Sequence, residues 1–116
     1  MNVTAETFDR DVIERSRELP VVVDFWAAWC APCRTLGPAI EAEVAKREGK
    51  LELAKLNVEA EPQIASRYGI KAMPMVAVFR DGEILAGFVG AYPPARIARF
   101  LNEQVLSAEA GQTGAR

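Results

Sequence analysis

Histidine is absent from the 116 residues, and cysteine occurs only twice. Without histidine there is no Ser–His or Cys–His nucleophile pair and no His-ligated metal site. Two cysteines cannot close a structural zinc site, which takes about four Cys or His ligands, within one chain. An excess of charge of one sign is also missing. Lys and Arg number 14 against 16 Asp and Glu, a net charge of −2, so no electrostatic argument favours nucleic acid or an anionic membrane. No apolar run approaches the roughly 20 residues that span a bilayer. The opening residues, Met1-Asn2-Val3-Thr4-Ala5-Glu6, carry neither the basic n-region nor the apolar h-region of a secretory leader. A cytoplasmic protein without membrane or nucleic-acid partners is expected.

What is present suits one globular domain. Half of the residues are hydrophobic and 26% are charged, and a chain of this length buries roughly two-thirds of its unfolded surface. Val3 is placed to start a short strand. Residues 4–15 read as a helix, with Phe8 and Val12 four apart, and Leu19-Pro20 ends it. Residues 21–26 are a dense β-branched and aromatic run, the pattern of a strand buried on both faces. Residues 31–47 read as a helix with Cys33, Leu36, Ile40 and Val44 on one stripe, Pro38 inside it to kink it, and Gly49 at its exit.

Residues 51–58 are the next strand, 62–68 a short helix stopped by Gly69, and 75–79 a strand. Asp81-Gly82 is a hairpin signal, with 83–89 as the antiparallel partner. A last helix opens at Pro93 or Pro94 and places Ile97, Leu101 and Val105 on one face. The domain is assigned to residues 1–106. Residues 107–116 have no apolar period and are expected to form a flexible tail. Strands separated by helices imply parallel pairs with right-handed crossovers, and the closing hairpin adds an antiparallel pair. The expected architecture is α/β: a central mixed sheet of about five strands flanked by about four helices.

Cys30-Ala31-Pro32-Cys33 falls between a buried strand and a helix start. A helix N-terminus presents unpaired N–H groups and the positive end of the helix dipole, which stabilise a thiolate and lower its pKa. The spacing brings both sulfurs to one side of the first turn. Cys33 continues the apolar stripe and is expected to be the more buried, leaving Cys30 as the nucleophile and Cys33 as the resolving thiol. Set against this are a static disulfide or two inert thiols, and a zinc site shared between two chains. Asp24 interrupts the buried run 21–26. It is either a desolvated base near Cys33 or a carboxylate that reaches solvent at the strand end. Lys55 shares strand parity with Leu51 and Leu53, and is either a partner for a buried carboxylate or a snorkelling surface lysine. Trp26 is assigned to the core and Trp29 to a lid over the cysteines. Pro74, in Ala72-Met73-Pro74-Met75, is either a trans strand starter or a cis proline.

The run Asp24-Phe25-Trp26-Ala27-Ala28-Trp29-Cys30-Ala31-Pro32-Cys33-Arg34 resembles the active-site segment of the thioredoxin family. The likeness continues through Pro38, Ala54-Lys55-Leu56-Asn57-Val58, Tyr68-Gly69-Ile70, Met73-Pro74, Phe79, Asp81-Gly82 and Val89-Gly90-Ala91, over roughly residues 3 to 106. The resemblance implies the thioredoxin fold and dithiol–disulfide exchange through Cys30 and Cys33. It implies that Asp24 accepts the Cys33 proton with Lys55 beside it, and that Pro74 is cis and packs on the disulfide. Met73 is implied to pair its backbone with the client. Trp29, Ala31, Pro32, Met73, Val89, Gly90 and Ala91 correspond to the client-binding surface. Ala31 stands where the family usually has Gly, Met73 where it has Ile or Val, and Met75 where it has Thr. These positions tune potential and client fit.

No bound cofactor or metal is implied beyond the redox-active Cys30–Cys33 disulfide. The implied partners are disulfide-containing client proteins and an NADPH-dependent thioredoxin reductase, with the protein acting as a monomeric, cytoplasmic protein-disulfide reductase. The alternative is a chaperone or client-binding module with incidental redox activity, for which the Met-containing apolar rim is suited.

Overall fold

Strand β1 (Val21–Trp26) forms where the β-branched and aromatic run predicts it, and five of its six residues are buried. A computed structural model, which describes residues 1–109, places β1 inside a four-stranded sheet with β2 (Glu52–Asn57), β3 (Met75–Arg80) and β4 (Glu83–Val89). The order is β2-β1-β3-β4. β1 runs parallel to β2 and antiparallel to β3, and β4 closes antiparallel on β3. The hairpin turn holds Asp81 at φ 56° and Gly82 at φ 82°, two successive left-handed residues, which is why Asp-Gly occupies it.

Side-chain alternation splits the core in two. Val21, Val23 and Phe25 face Phe8, Val12, Ile64 and Phe79. Val22 faces the other way, with Val76 and Val78, onto Leu36, Ile40, Ile97 and Leu101. Each large aliphatic or aromatic side chain fully buried this way contributes about 1.5–3 kcal/mol. One layer of helix on that second face is α1 (Ala31–Ala45), with Cys33, Leu36, Ile40 and Val44 buried on the expected stripe and Pro38 inside the helix. Beside it lies α3 (Pro94–Phe100), continued by a π-helical segment, Leu101–Leu106. The opposite face carries α2 (Pro62–Arg67) and the N-terminal helical segment. Glu43, buried in α1, accepts from Lys46 and Arg47, and Arg47 also reaches Asn102 Oδ1 at 2.9 Å, tying α1 to the C-terminal helix. Among the described residues no helix is long and apolar enough to cross a membrane.

Three expectations change. The strand expected at Val3 shrinks to one parallel bridge, Asn2 to Lys55, closed by Val3 N–H to Lys55 O (2.9 Å) and Lys55 N–H to Met1 O (2.7 Å). Among the described residues the sheet therefore has four strands, against the about five expected. The first helix is a π-helical stretch, Asp9–Glu14, followed by a 3-10 turn, Arg15–Arg17. Its end is tied down by the Ser16 hydroxyl, which donates to Ile13 O and accepts from Gly82 N–H. Helical backbone also runs on through residues 107–109, the first part of the expected tail, where Arg80 Nε donates to the Glu109 carboxylate at 2.9 Å. The rest of that tail lies outside the described residues.

Candidate active site at the start of α1

β1 ends at Trp26, and the chain must turn before α1 begins. Cys30 N–H donates to Ala27 O at 3.1 Å, and the Arg34 guanidinium donates back to Ala28 O at 2.7 Å, closing the loop. Cys30 is the helix N-cap, in extended conformation (φ −90°, ψ 103°), and its sulfur accepts the Cys33 N–H at 3.2 Å. A cap normally uses a hydroxyl or carboxylate oxygen for that free N–H. Here sulfur takes the role, so the helix end directs an N–H and its positive dipole at Cys30 Sγ. Pro32 sits within the first turn, where its missing N–H leaves no gap in the ladder. Cys30 and Cys33 form a disulfide, with their Cα atoms 5.3 Å apart.

The expected difference in burial between the two cysteines is not seen. Cys30 is 3% exposed and Cys33 5%. In the disulfide both sulfurs are drawn under the same apolar cover, made with Ala27, Trp26, Val58 and Met73. What separates the cysteines is their surroundings. Cys33 lines a cavity of about 420 Å³ together with Asp24, Trp26, Arg34, Gly37, Glu41 and Lys55, and Cys30 is not part of that lining.

Asp24 lies at the bottom of this cavity. It is 1% exposed, and neither carboxylate oxygen has a hydrogen-bond partner among the described residues. Asp24 therefore does not reach solvent at the strand end. Burial pushes its carboxyl up from 3.8 to about 6; the Lys55 charge opposes this and the Glu41 charge adds to it. Lys55 sits in register with Asp24 across the parallel β1–β2 pair. Its ammonium, however, is paired with Glu41 Oε1 at 3.3 Å. Glu41 is the residue that sequence reasoning missed. Its signal was the spacing Cys33, Gly37, Glu41, three positions four apart on one helical stripe. Gly37 helps to make the space: a Cβ there would stand 3.7 Å from Lys55 Nζ. Trp26, assigned to the core, is only half-buried. It lines the cavity, and its Nε1 lacks a partner among the described residues.

On the other side of the disulfide the Met73–Pro74 peptide is cis and Pro74 is buried. Met73 packs against the cysteines. Gly90 N–H donates to Pro74 O at 2.8 Å, and Met75 pairs with Val89, which brings residues 89–91 beside the Met73–Pro74 turn. Gly90 has φ 105°, a conformation open to glycine. Trp29, Ala31, Pro32, Val89 and Ala91 are exposed, and Met73 and Gly90 are partly so. Among the described residues no group of three or more Cys, His, Asp or Glu is arranged to hold a metal ion.

The family model described as thioredoxin matches residues 1–103. A thioredoxin of Streptomyces clavuligerus is 43% identical, covering 84% of this chain and 89% of its own. Thioredoxin 1 of a Nostoc species is 37% identical over 89% of this chain and 94% of its own. A thioredoxin of Chlorobaculum thiosulfatiphilum is 39% identical over 88% and 93%. With a Cys-x-x-Cys disulfide capping α1 and this likeness along nearly its whole length, the chain belongs to the thioredoxin family and is a thiol–disulfide oxidoreductase.

Proposed function

We propose that the protein works as a protein-disulfide reductase, with Cys30 as nucleophile, Cys33 as resolving thiol and Asp24 as the acceptor of the Cys33 proton. The observation that carries this reading is the asymmetry around the disulfide. Cys30 receives the N–H of the helix end, while Cys33 shares a cavity with a buried, unbonded carboxylate.

In the reduced protein the Cys30 thiolate attacks a client disulfide, forming a Cys30–client disulfide and releasing one client thiolate. Cys33 gives its proton to Asp24 and attacks Cys30 Sγ. The Cys30–Cys33 disulfide forms and the second client thiolate leaves. Two electrons pass from the dithiol to the client. Asp24 suits the task because burial holds its carboxyl at about 6, close enough to neutrality to take and return a proton. Lys55 lies beside it and tempers that shift. The client lies as an extended segment along Met73 and Pro74, against Trp29, Ala31, Pro32, Val89, Gly90 and Ala91. Met73 at the disulfide offers an adaptable thioether contact. The cycle needs no resident cofactor. The disulfide is reduced again by a thioredoxin reductase drawing on NADPH, and the protein acts as a monomer in the cytoplasm.

The test is a trapping experiment. Cys33→Ser keeps the nucleophile and removes the resolving thiol, so reducible client adducts should accumulate on acid-quenched, alkylated non-reducing gels. Cys30→Ser should trap almost nothing. Adducts absent from both variants, with client binding retained, would instead support the noncovalent client-binding module.

A further inference from the structure

We propose that Glu41 is a positioning residue of this site: it holds the Lys55 ammonium at the cavity mouth, so that Asp24 keeps both oxygens free to take the Cys33 proton. The inference rests on the role given to Asp24 above. The cavity is lined by two carboxylates, Asp24 and Glu41, and two cations, Arg34 and Lys55, of which Lys55 forms an ion pair with Glu41. Lys55 is the register partner of Asp24, yet its ammonium is bound to Glu41 at 3.3 Å. Exposure falls inward, from 49% for the Glu41 side chain to 28% for Lys55 and 1% for Asp24. The ion pair is thus drawn toward solvent and the inner carboxylate is left bare.

A lysine bonded to Asp24 would stabilise the carboxylate and weaken it as a proton acceptor. Glu41 prevents this in two ways. It holds the ammonium 3.3 Å from its own Oε1, where Lys55 makes no hydrogen bond to Asp24, and its own negative charge opposes a second one at Asp24. No other group takes that place, since neither Asp24 oxygen has a hydrogen-bond partner among the described residues. From α1, Cys33 is in the disulfide and the Arg34 guanidinium is bonded to Ala28 O rather than to Asp24. From β3, the register partner is the uncharged Val76. The half-exposed position of Glu41 also lets its charge be removed without opening the core.

The experiment is a titration of the Asp24 carboxyl by carbon NMR in the oxidised protein, where neither cysteine titrates. Glu41→Gln keeps the side-chain length and drops the charge. It should lower the Asp24 midpoint by roughly half a pH unit, a solvent-screened part of what a close charge brings. It should also move the acid limb of the disulfide-reduction pH profile downward by a similar amount. In a Lys55→Met background the same substitution should have a smaller effect, because there is no lysine to release. An unchanged midpoint would overturn the proposal, and so would a shift of equal size in both backgrounds, since Glu41 would then act only as a distant charge. The two readings fail separately: if Asp24→Asn leaves turnover unaltered, Asp24 is not the proton acceptor, whereas the oxidised-state titration still reports on Glu41.

Discussion

Asp24→Asn is the perturbation with the clearest thermodynamic consequence. The Asp24 carboxyl moves from 3.8 to about 6 on folding because it is buried without a hydrogen bond. The native state therefore binds this proton more tightly than the unfolded chain does. Below the unfolded value both states are protonated and the residue contributes no pH dependence. As pH rises from about 3.8 to about 6 the unfolded chain releases its proton and the native state does not, so stability is lost. Above the native value the cost is constant. The gap of a little over two pH units corresponds to about 3 kcal/mol, at roughly 1.4 kcal/mol per unit. Asparagine has nearly the same shape and no charge to bury. Its amide adds an offset of its own, but that offset does not vary with pH. The stability difference between variant and parent should therefore swing by about 3 kcal/mol in favour of the variant between about pH 3 and about pH 8. Guanidinium unfolding of the oxidised proteins, followed by Trp26 and Trp29 fluorescence, measures this. With a slope of about 3 kcal/mol/M the midpoint difference should change by about 1 M across the range. A difference that stays flat with pH would refute the argument, because Asp24 would then have the same proton affinity folded and unfolded.

In the reduced protein near neutral pH, brief iodoacetamide treatment should label Cys30 ahead of Cys33, since only Cys30 receives the N–H of the helix end; mass spectrometry showing equal labelling would contradict the assignment of nucleophile. Gly87→Ala should destabilise the fold by about 1–3 kcal/mol, because a Cβ on β4 would stand 2.7 Å from the Val76 carbonyl oxygen of β3, and backbone must move to admit it. Denaturant unfolding with no change of midpoint would mean that the hairpin absorbs the methyl group freely.

The sequence by itself determined the elements and the reaction class. The run 21–26, the stripe Cys33-Leu36-Ile40-Val44 and Asp81-Gly82 each carry a local signal: β-branching, a helical period, and a pair of residues that tolerate positive φ. The Cys-x-x-Cys spacing likewise depends on one turn of helix and needs no distant contact. Strand parity was enough to put Lys55 on the face of Leu51 and Leu53, because alternation across a strand is strict, while its place beside Asp24 was implied only by the family resemblance. Elsewhere local signals misled. Val3 has the residue type for a strand, but only one bridge forms there, at its neighbour Asn2, and Ser107 to Glu109 lack an apolar period yet stay helical where Arg80 meets Glu109. The equal burial of the two sulfurs follows from the closed disulfide and the cover of Met73 and Val58, residues far away in sequence. Whether Asp24 is buried or wet, and which carboxylate Lys55 chooses, depends on how α1 lies over β1 and β2. A charge's partner is set by distance and by the dielectric around it, and both come into being only when these three elements pack together.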